Sequence, residues 1–319
     1  MKDLLRRPWV GPLLALLGVY ALFCALSPET FLGAPNLVTM ARQTVVVAIV
    51  AVGMTLVIIL GGIDLSVGSA VALTTVVIAW FLRAGAGPWS AAVLGIGAAA
   101  LGGALTGLLV TRLRVTPFII TLGGMCVMRG LAKGIAGEQK IDADPRGLDA
   151  LLASATGSWA LLPPGVWIAL LLALLAAGLL SRTRFGRHVF AVGSNEHTAR
   201  LCGVEVARVR VLVYVLAGLL TGTGGVMEFS TLTVGDPTDS IGLELEVIAA
   251  VVIGGGSLAG GEGSILGSLV GAMLMTVIKT GSTHLGLPNW VQEIVTGAII
   301  VGAVALDRVR RRGEAGAGS

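Results

Sequence analysis

About ten apolar stretches, each near the length a helix needs to cross a bilayer, follow one another along this chain of 319 residues with only short polar links between them. They run over about 10–26, 40–60, 66–82, 89–111, 117–135, 164–181, 209–230, 244–259, 264–283 and 288–306. A hydrocarbon core ~30 Å thick takes about 20 apolar residues in a helix, and irregular backbone survives at that depth only where protein buries it or water lines it. Hydrophobic residues make up 55% of the chain and charged residues 13%, which excludes a soluble α/β fold. The expected architecture is all-α, a polytopic membrane bundle of about ten transmembrane helices. Function must then be read from the few polar residues inside the spans and from the loops.

An even number of spans puts both termini on one side. If that side is cytoplasmic, most of the 22 Lys and Arg residues lie inside. They are Lys2, Arg6 and Arg7; Arg112 and Arg114; Arg182, Arg184, Arg187, Arg200, Arg208 and Arg210; and Arg308, Arg310, Arg311 and Arg312. The others, among them Arg42, Arg129, Lys140 and Lys279, fall outside or near outer helix ends, where long side chains can snorkel. Both termini are therefore expected in the cytoplasm. The basic start resembles a secretory signal, but no A-x-A site follows and Phe23 before Cys24 does not suit a lipoprotein signal, so an uncleaved first helix is expected. Cys24, Cys126 and Cys202 are odd in number, and two lie in apolar runs, which argues against a disulfide framework. One transmembrane domain is expected over 1–312, with an outer loop at 136–163, a basic inner loop at 182–208 and a disordered tail at 313–319.

Two glycine-rich turns interrupt the apolar runs. The first, Gly61-Gly62-Ile63-Asp64-Leu65-Ser66-Val67-Gly68-Ser69, offers glycines for a tight backbone break. Asp64 or Ser66 then either caps the next helix or lines a path or gate, since an acid at membrane depth is a functional candidate. The second runs from Gly254-Gly255-Gly256-Ser257 through Gly260-Gly261-Glu262-Gly263 to Ser264 and echoes the first in composition, as an internal repeat would. Neither is a P-loop: the chain has no G-x-x-x-x-G-K-[ST] and no Gly-Lys pair, so ATP is not bound that way. Gly263, Gly267 and Gly271 in one span, and Gly218 and Gly222 in another, form small-residue stripes for helix packing, within the subunit or against a second one. No H-E-x-x-H, no G-x-S-x-G and no metal-spaced cysteine pair occurs, so no catalytic or metal residues are assigned.

Within the inner loop, Gly193-Ser194-Asn195 opens a short helix that Ser194 or Asn195 caps, Glu196 favours at its positive end and Gly203 stops. Arg200 and Leu201 lie on it. Such a compact knob beneath the membrane suits docking to a soluble partner, although a basic inner loop alone is also a plain topology signal.

Four motifs occur in a fixed order: Gly61-Gly62-Ile63-Asp64-Leu65-Ser66-Val67-Gly68; Thr116-Pro117-Phe118-Ile119; Phe185-Gly186-Arg187 continuing through Gly193-Ser194-Asn195-Glu196 to Arg200-Leu201-Cys202-Gly203-Val204; and Gly254 to Gly263. Together they resemble the membrane permease of ribose-type sugar ABC importers, in the family that also holds branched-chain amino-acid permeases. The likeness covers about residues 36 to 306; the outer loop 136–163 carries no matching motif. It implies a type II importer-like bundle in a bacterial inner membrane, a second permease copy, and a cytoplasmic ABC ATPase, often with two fused nucleotide-binding halves, that uses ATP and Mg. It also implies a periplasmic or lipid-anchored sugar-binding protein outside. No cofactor is then expected on this chain, which would be a transporter subunit and not an enzyme. By the same resemblance, Gly193, Ser194, Asn195, Glu196, Arg200, Leu201 and Gly203 would couple to the ATPase.

Aromatic residues are only 5% of the chain, too few to build stacking faces for a tight sugar site, so specificity is assigned mainly to the separate binding protein. Weak polar guidance falls to Gln43, Thr44, Asp64, Ser66, Thr116, Glu228 or Ser230. The expected mechanism is alternating access driven through the 193–203 knob. The nearest alternatives are permeases for branched-chain amino acids, nucleosides or a sugar-like signalling molecule. A different class is a self-sufficient secondary carrier, which needs membrane-embedded titrating groups that are scarce here.

Overall fold

The computed structural model describes residues 10–153, 162–299 and 301–302. The basic residues Lys2, Arg6, Arg7, Arg308 and Arg310 to Arg312, and the tail 313–319, lie outside the described residues. In chain order the helices are α1 (Val10–Leu26), α2 (Pro28–Phe31), α3 (Ala34–Ile59), α4 (Val67–Arg83), α5 (Pro88–Leu113), α6 (Pro117–Ala136), α7 (Pro164–Arg182), α8 (Arg184–Ser194), α9 (Glu196–Leu201), α10 (Val206–Leu232), α11 (Leu243–Ile253) and α12 (Ile265–His284). Helix resumes over 289–299. Two-residue strands β1 (Ile141–Asp142) and β2 (Val234–Gly235) pair antiparallel, with Ile141 opposite Gly235 and Asp142 opposite Val234.

Six helices, α3, α5, α6, α7, α10 and α12, are long and apolar enough to cross a membrane, and α1 and α4 are apolar helices of 17 residues each. The stretch expected at 244–259 departs from this. Its helix α11 stops at Ile253 after 11 residues, which at 1.5 Å per residue is about half of a bilayer core. Glycine and alanine keep the hydropathy high through residue 259, but Gly255 takes φ +91°, which ends the helix.

Helix α3 is the centre of the bundle. Every residue from Val45 to Ile59 is buried, so this helix is apolar on all faces and meets protein instead of lipid around most of its girth. Helices α10, α11, α12 and α7 pack around it, and Thr55 on α3 donates to the Ser268 hydroxyl of α12 at 2.7 Å. The most extensive helix pairing among the described residues is α5 with α10. A Cβ at Gly218 would stand 2.7 Å from the Ala99 carbonyl oxygen, and one at Gly222 2.7 Å from the Ile96 Cα. Likewise Gly267 faces Gly254, Gly271 faces the Ala250 carbonyl, and Gly263 faces the Ile59 side chain at 2.7 Å. All five stripe glycines thus meet helices or turns of their own chain. Lipid tails give no hydrophobic drive for helices to associate, so van der Waals contact between bare backbones takes its place.

The two glycine-rich turns meet at one point. The Gly261 amide donates to the Ile59 carbonyl at the end of α3 (2.8 Å), and a Cβ at Gly260 would stand 2.9 Å from the Gly61 Cα. Gly193, near the end of α8, presses on the same place, where a Cβ would overlap the Ile59 carbonyl oxygen. At the opposite end of the bundle, the β1–β2 pair ties the loop after α6 to the segment after α10.

Gly103→Leu is expected to lower the stability of the detergent-purified protein by about 1–3 kcal/mol, the usual range for overpacking. The cause is that its Cβ would overlap the Tyr214 carbonyl, whereas Gly97 has nothing within 4 Å of a built Cβ. Gly97→Leu should therefore melt like the parent protein, and equal losses in both variants would contradict the packing described.

Candidate functional site

Helix α8 lies at the end of the bundle marked by the joined turns. Thr183 caps it by accepting from the Gly186 amide (3.1 Å), and its Val189 and Val192 are buried. Asn195 caps α9, its Oδ1 accepting from the Thr198 amide at 2.9 Å, while Ser194 closes α8 instead. Glu196 in the first turn of α9 accepts from Arg200 (2.8 Å) and from Arg210 on α10 (2.7 Å). The Arg200 partner is a solvated i,i+4 pair, the kind that adds only a few tenths of a kcal/mol. Arg210 is mostly buried, with 18% of its side chain exposed, so this bond ties α9 to a spanning helix. Gly203, at φ +82°, turns the chain back toward α10, and Leu201 is exposed.

Asp64 is buried, and its Oδ1 accepts from the Ser66 amide (2.9 Å) and the Ser66 hydroxyl (2.6 Å). Ser66 occupies the N-cap position of α4 but makes no side-chain capping bond, because its hydroxyl is turned back to Asp64. The expected cap is thus a closed Asx-type turn ahead of the helix. The Thr121 hydroxyl of α6 donates to the Ile63 carbonyl (3.1 Å) and pins this break from the side. Tyr214 of α10 is fully buried beside it; its hydroxyl has no hydrogen-bond partner among the described residues and would touch a Cβ at Gly62 at 2.8 Å. Thr116 lines a cavity of about 770 Å³ at this end, with Arg114, Glu196, Arg200 and Arg210.

Gln43 and Glu228 are elsewhere. They line one cavity of about 540 Å³ toward the opposite end, between α3, α10, α11 and α12. The Thr280 hydroxyl donates to Gln43 Oε1 (2.8 Å), and Lys279 pairs with Glu246 at 3.6 Å. Of the residues expected to guide a solute, the structure therefore unites Gln43 with Glu228 and separates them from Asp64, Ser66 and Thr116. Thr44 gives its hydroxyl to the Met40 carbonyl (2.7 Å), and Ser230 gives its own to the Asp149 carbonyl (3.3 Å).

Sequence reasoning missed several members of these sites. Arg42, Glu246 and Lys279 line the far cavity, and Thr39, Arg42, Gln43 and Val46 share one face of α3 at spacings the sequence does display. Arg129 of α6 donates through Nη1 to the carbonyls of Pro237 (3.0 Å) and Asp239 (2.6 Å), and Lys140 pairs with Asp236 at 3.0 Å. Partial burial works to raise the Asp236 carboxyl, but the Thr238 hydroxyl and amide together with the Lys140 ammonium outweigh it and hold the group below its ordinary value. The Lys140 ammonium is raised, chiefly by its hydrogen bond to Asp236.

Residues 36–304 match the family model for the permease component of branched-chain amino acid transport systems. The ribose import permease protein RbsC of Escherichia coli (strain K12) is 40% identical over 94% of this chain and 93% of its own length. RbsC of Bacillus subtilis (strain 168) is 37% identical over 94% and 92%. The L-arabinose ABC transporter permease protein AraH of Azospirillum brasilense is 36% identical over 94% and 88%. No solved structure matches the chain. The chain belongs to this family of transport permeases and is a multi-pass membrane protein.

Two measurements test the geometry. Asp64→Asn keeps an oxygen for Ser66 and should leave stability near that of the parent, whereas Asp64→Leu strands the Ser66 amide and should cost about 1–3 kcal/mol; equal losses would show that the charge itself is required. For the outer staple, a carboxyl depressed in the folded state stabilises above its ordinary pKa of about 3.9 and loses that contribution as pH falls through the lower folded value. Hydrogen exchange at residues 139–142, corrected for intrinsic rates, should stay slow at pH 5 and speed up at strongly acid pH. In Asp236→Asn it should be fast at both.

Proposed function

We propose that this chain is the membrane-spanning permease subunit of an ATP-driven importer of a monosaccharide of the ribose class, in the inner membrane of a bacterium. The sugar permeases to which it is similar along almost its whole length support the substrate class. The bundle end bearing α8 and α9 faces the cytoplasm, consistent with Arg182, Arg184, Arg187, Arg200, Arg208 and Arg210 all lying in its loops and helix ends. On this reading about ten segments traverse or enter the membrane, both termini are cytoplasmic, and residues 1–312 form one domain. Gln43 and Glu228 line the path at one end, Asp64 and Ser66 hold the turn that gates the other, and Thr116 lines the inner mouth.

The observation that carries the reading is the contact of Gly193 with Ile59, beside the Gly261–Ile59 hydrogen bond. A push on α9 from a cytoplasmic ATPase reaches α10 through Glu196–Arg210 and reaches the joined turns through Gly193. ATP and Mg act on that ATPase, which carries two nucleotide-binding halves. A second permease copy completes the bundle, and a sugar-binding protein outside delivers the solute. The chain alternates which side it opens to.

Transport and sugar-stimulated ATP hydrolysis, measured in the reconstituted complex, test this assignment. Glu196→Ala breaks both bonds of α9 and should lower the two activities together by about tenfold, the effect of roughly 1.4 kcal/mol. Arg200→Ala removes only the solvated pair and any contact to the ATPase, so it should lower both activities less. Normal uptake in both variants, or uptake by the permease without an ATPase, would overturn the proposal.

A further inference from the structure

We infer that residues 238–242 form a movable strap that partitions the solute path within the subunit, and that Arg129 is the positioning residue that holds it in place. This rests on the import reading above and adds what stands between the outer cavity and the Asp64 turn. After β2 the chain runs down the side of α4 instead of staying at the outer end. Gly235 packs on α4 where a Cβ would stand 2.7 Å from the Ala79 Cβ and 2.9 Å from the Val76 Cα. Five residues later the Ser240 carbonyl lies against Gly68, at the start of the same helix, with the Glu244 carboxylate beside it. From the level of Val76 to that of Gly68 the chain descends about 12 Å, at 1.5 Å per helical residue. Helix α11 then begins at Leu243 and covers about 16 Å more, down to the second glycine-rich turn.

The strap has a different part of the path on each side. Asp239, Ser240 and Ile241 line the Gln43–Glu228 cavity, while the Ser240 carbonyl meets Gly68, two residues past Ser66. What holds the strap there is polar. None of residues 238–242 is buried, and their one apolar side chain, Ile241, is 75% exposed. Helix α11 differs, with every residue from Val247 to Val252 buried. Asp236 fixes the upper end of the strap by accepting from the Thr238 amide and hydroxyl. Arg129 reaches across from α6 to the Pro237 and Asp239 carbonyls, and Glu244, Asp239 and Asp236 face its charge. Irregular backbone inside a bundle needs such partners, and an arginine within a spanning helix is costly enough to mark a pathway or gate. An element with little apolar burial opens at a lower free energy than its surroundings. The strap can therefore withdraw, joining the outer cavity to the Asp64 turn, while α4 and α11 stay packed.

The test uses the complete transporter in proteoliposomes loaded with radiolabelled D-ribose, with efflux measured in the absence of ATP and normalised to inserted protein. Arg129→Gln gives up the charge-assisted bonds to the strap and should speed efflux over the parent by about tenfold or more. Arg129→Lys keeps a charged donor and should leak less than Arg129→Gln. A merely structural role for Arg129 would lower ATP-driven uptake without opening a leak. Gly68→Ala tests the same partition from α4, because its methyl group overlaps the Ser240 carbonyl, and it should leak as well. Gly124→Ala, whose Cβ meets nothing nearer than 3.6 Å, should stay as tight as the parent. Efflux at the parent rate from both Arg129→Gln and Gly68→Ala would overturn the strap while leaving the import reading standing. Parent protein that imports no pentose or hexose with ATP would overturn the import reading itself.

Discussion

Hydrocarbon offers no hydrogen bond, so wherever this chain leaves the helix within the bundle its backbone must find partners in protein. The structure meets that demand by placing its two irregular turns against each other. The Gly261 amide of one satisfies the Ile59 carbonyl at the start of the other, and Asp64 closes the first turn by accepting from Ser66. Glycines allow both the positive φ at Gly61 and Gly261 and the close approach of the two backbones. As a result, the ends of α3 and α8 and the turn that leads into α12 meet at one contact.

Around that contact the bundle divides its work. Helix α3, buried on every side, serves as the post against which α10, α11 and α12 are set. One end carries the short helices, which the half-exposed Glu196–Arg210 ion pair ties to the spanning helix α10. The other end carries the Gln43–Glu228 cavity and the small outer cap, where β1, β2, Arg129 and the Lys140–Asp236 pair hold two loops together. On the proposed reading, force enters at one end and a polar solute passes at the other, and the glycine-tight α5–α10 and α3–α10 contacts join the two ends.

Much of this was legible in the sequence, for identifiable reasons. Span length and hydropathy located the long helices, and four-residue glycine spacing marked close helix faces, because both signals are local. The cap of α9 was legible as Ser194 or Asn195, and geometry chose Asn195. What stayed hidden was tertiary or masked by composition. Helix α8 falls in the basic inner loop of the sequence reading because Arg182, Arg184 and Arg187 serve as a topology signal, although Val189 and Val192 anchor it. The short length of α11 was concealed because Gly254 to Ala259 are apolar enough to prolong the hydropathy after the backbone has turned. Glu196 and Arg210 are 14 residues apart, and no periodicity pairs them. Gln43 and Glu228 were picked as polar residues in spans, but only packing reveals that they share a cavity while Asp64 and Thr116 do not.

The most direct measurement is the number of sugar molecules imported per ATP hydrolysed by the reconstituted transporter carrying Gly193→Ala, where the added methyl group forces α8 away from the Ile59 carbonyl. If force passes through that contact, hydrolysis should continue while the ratio falls well below that of the parent. An unchanged ratio would contradict the claim that the joined turns receive the motion of the cytoplasmic helices.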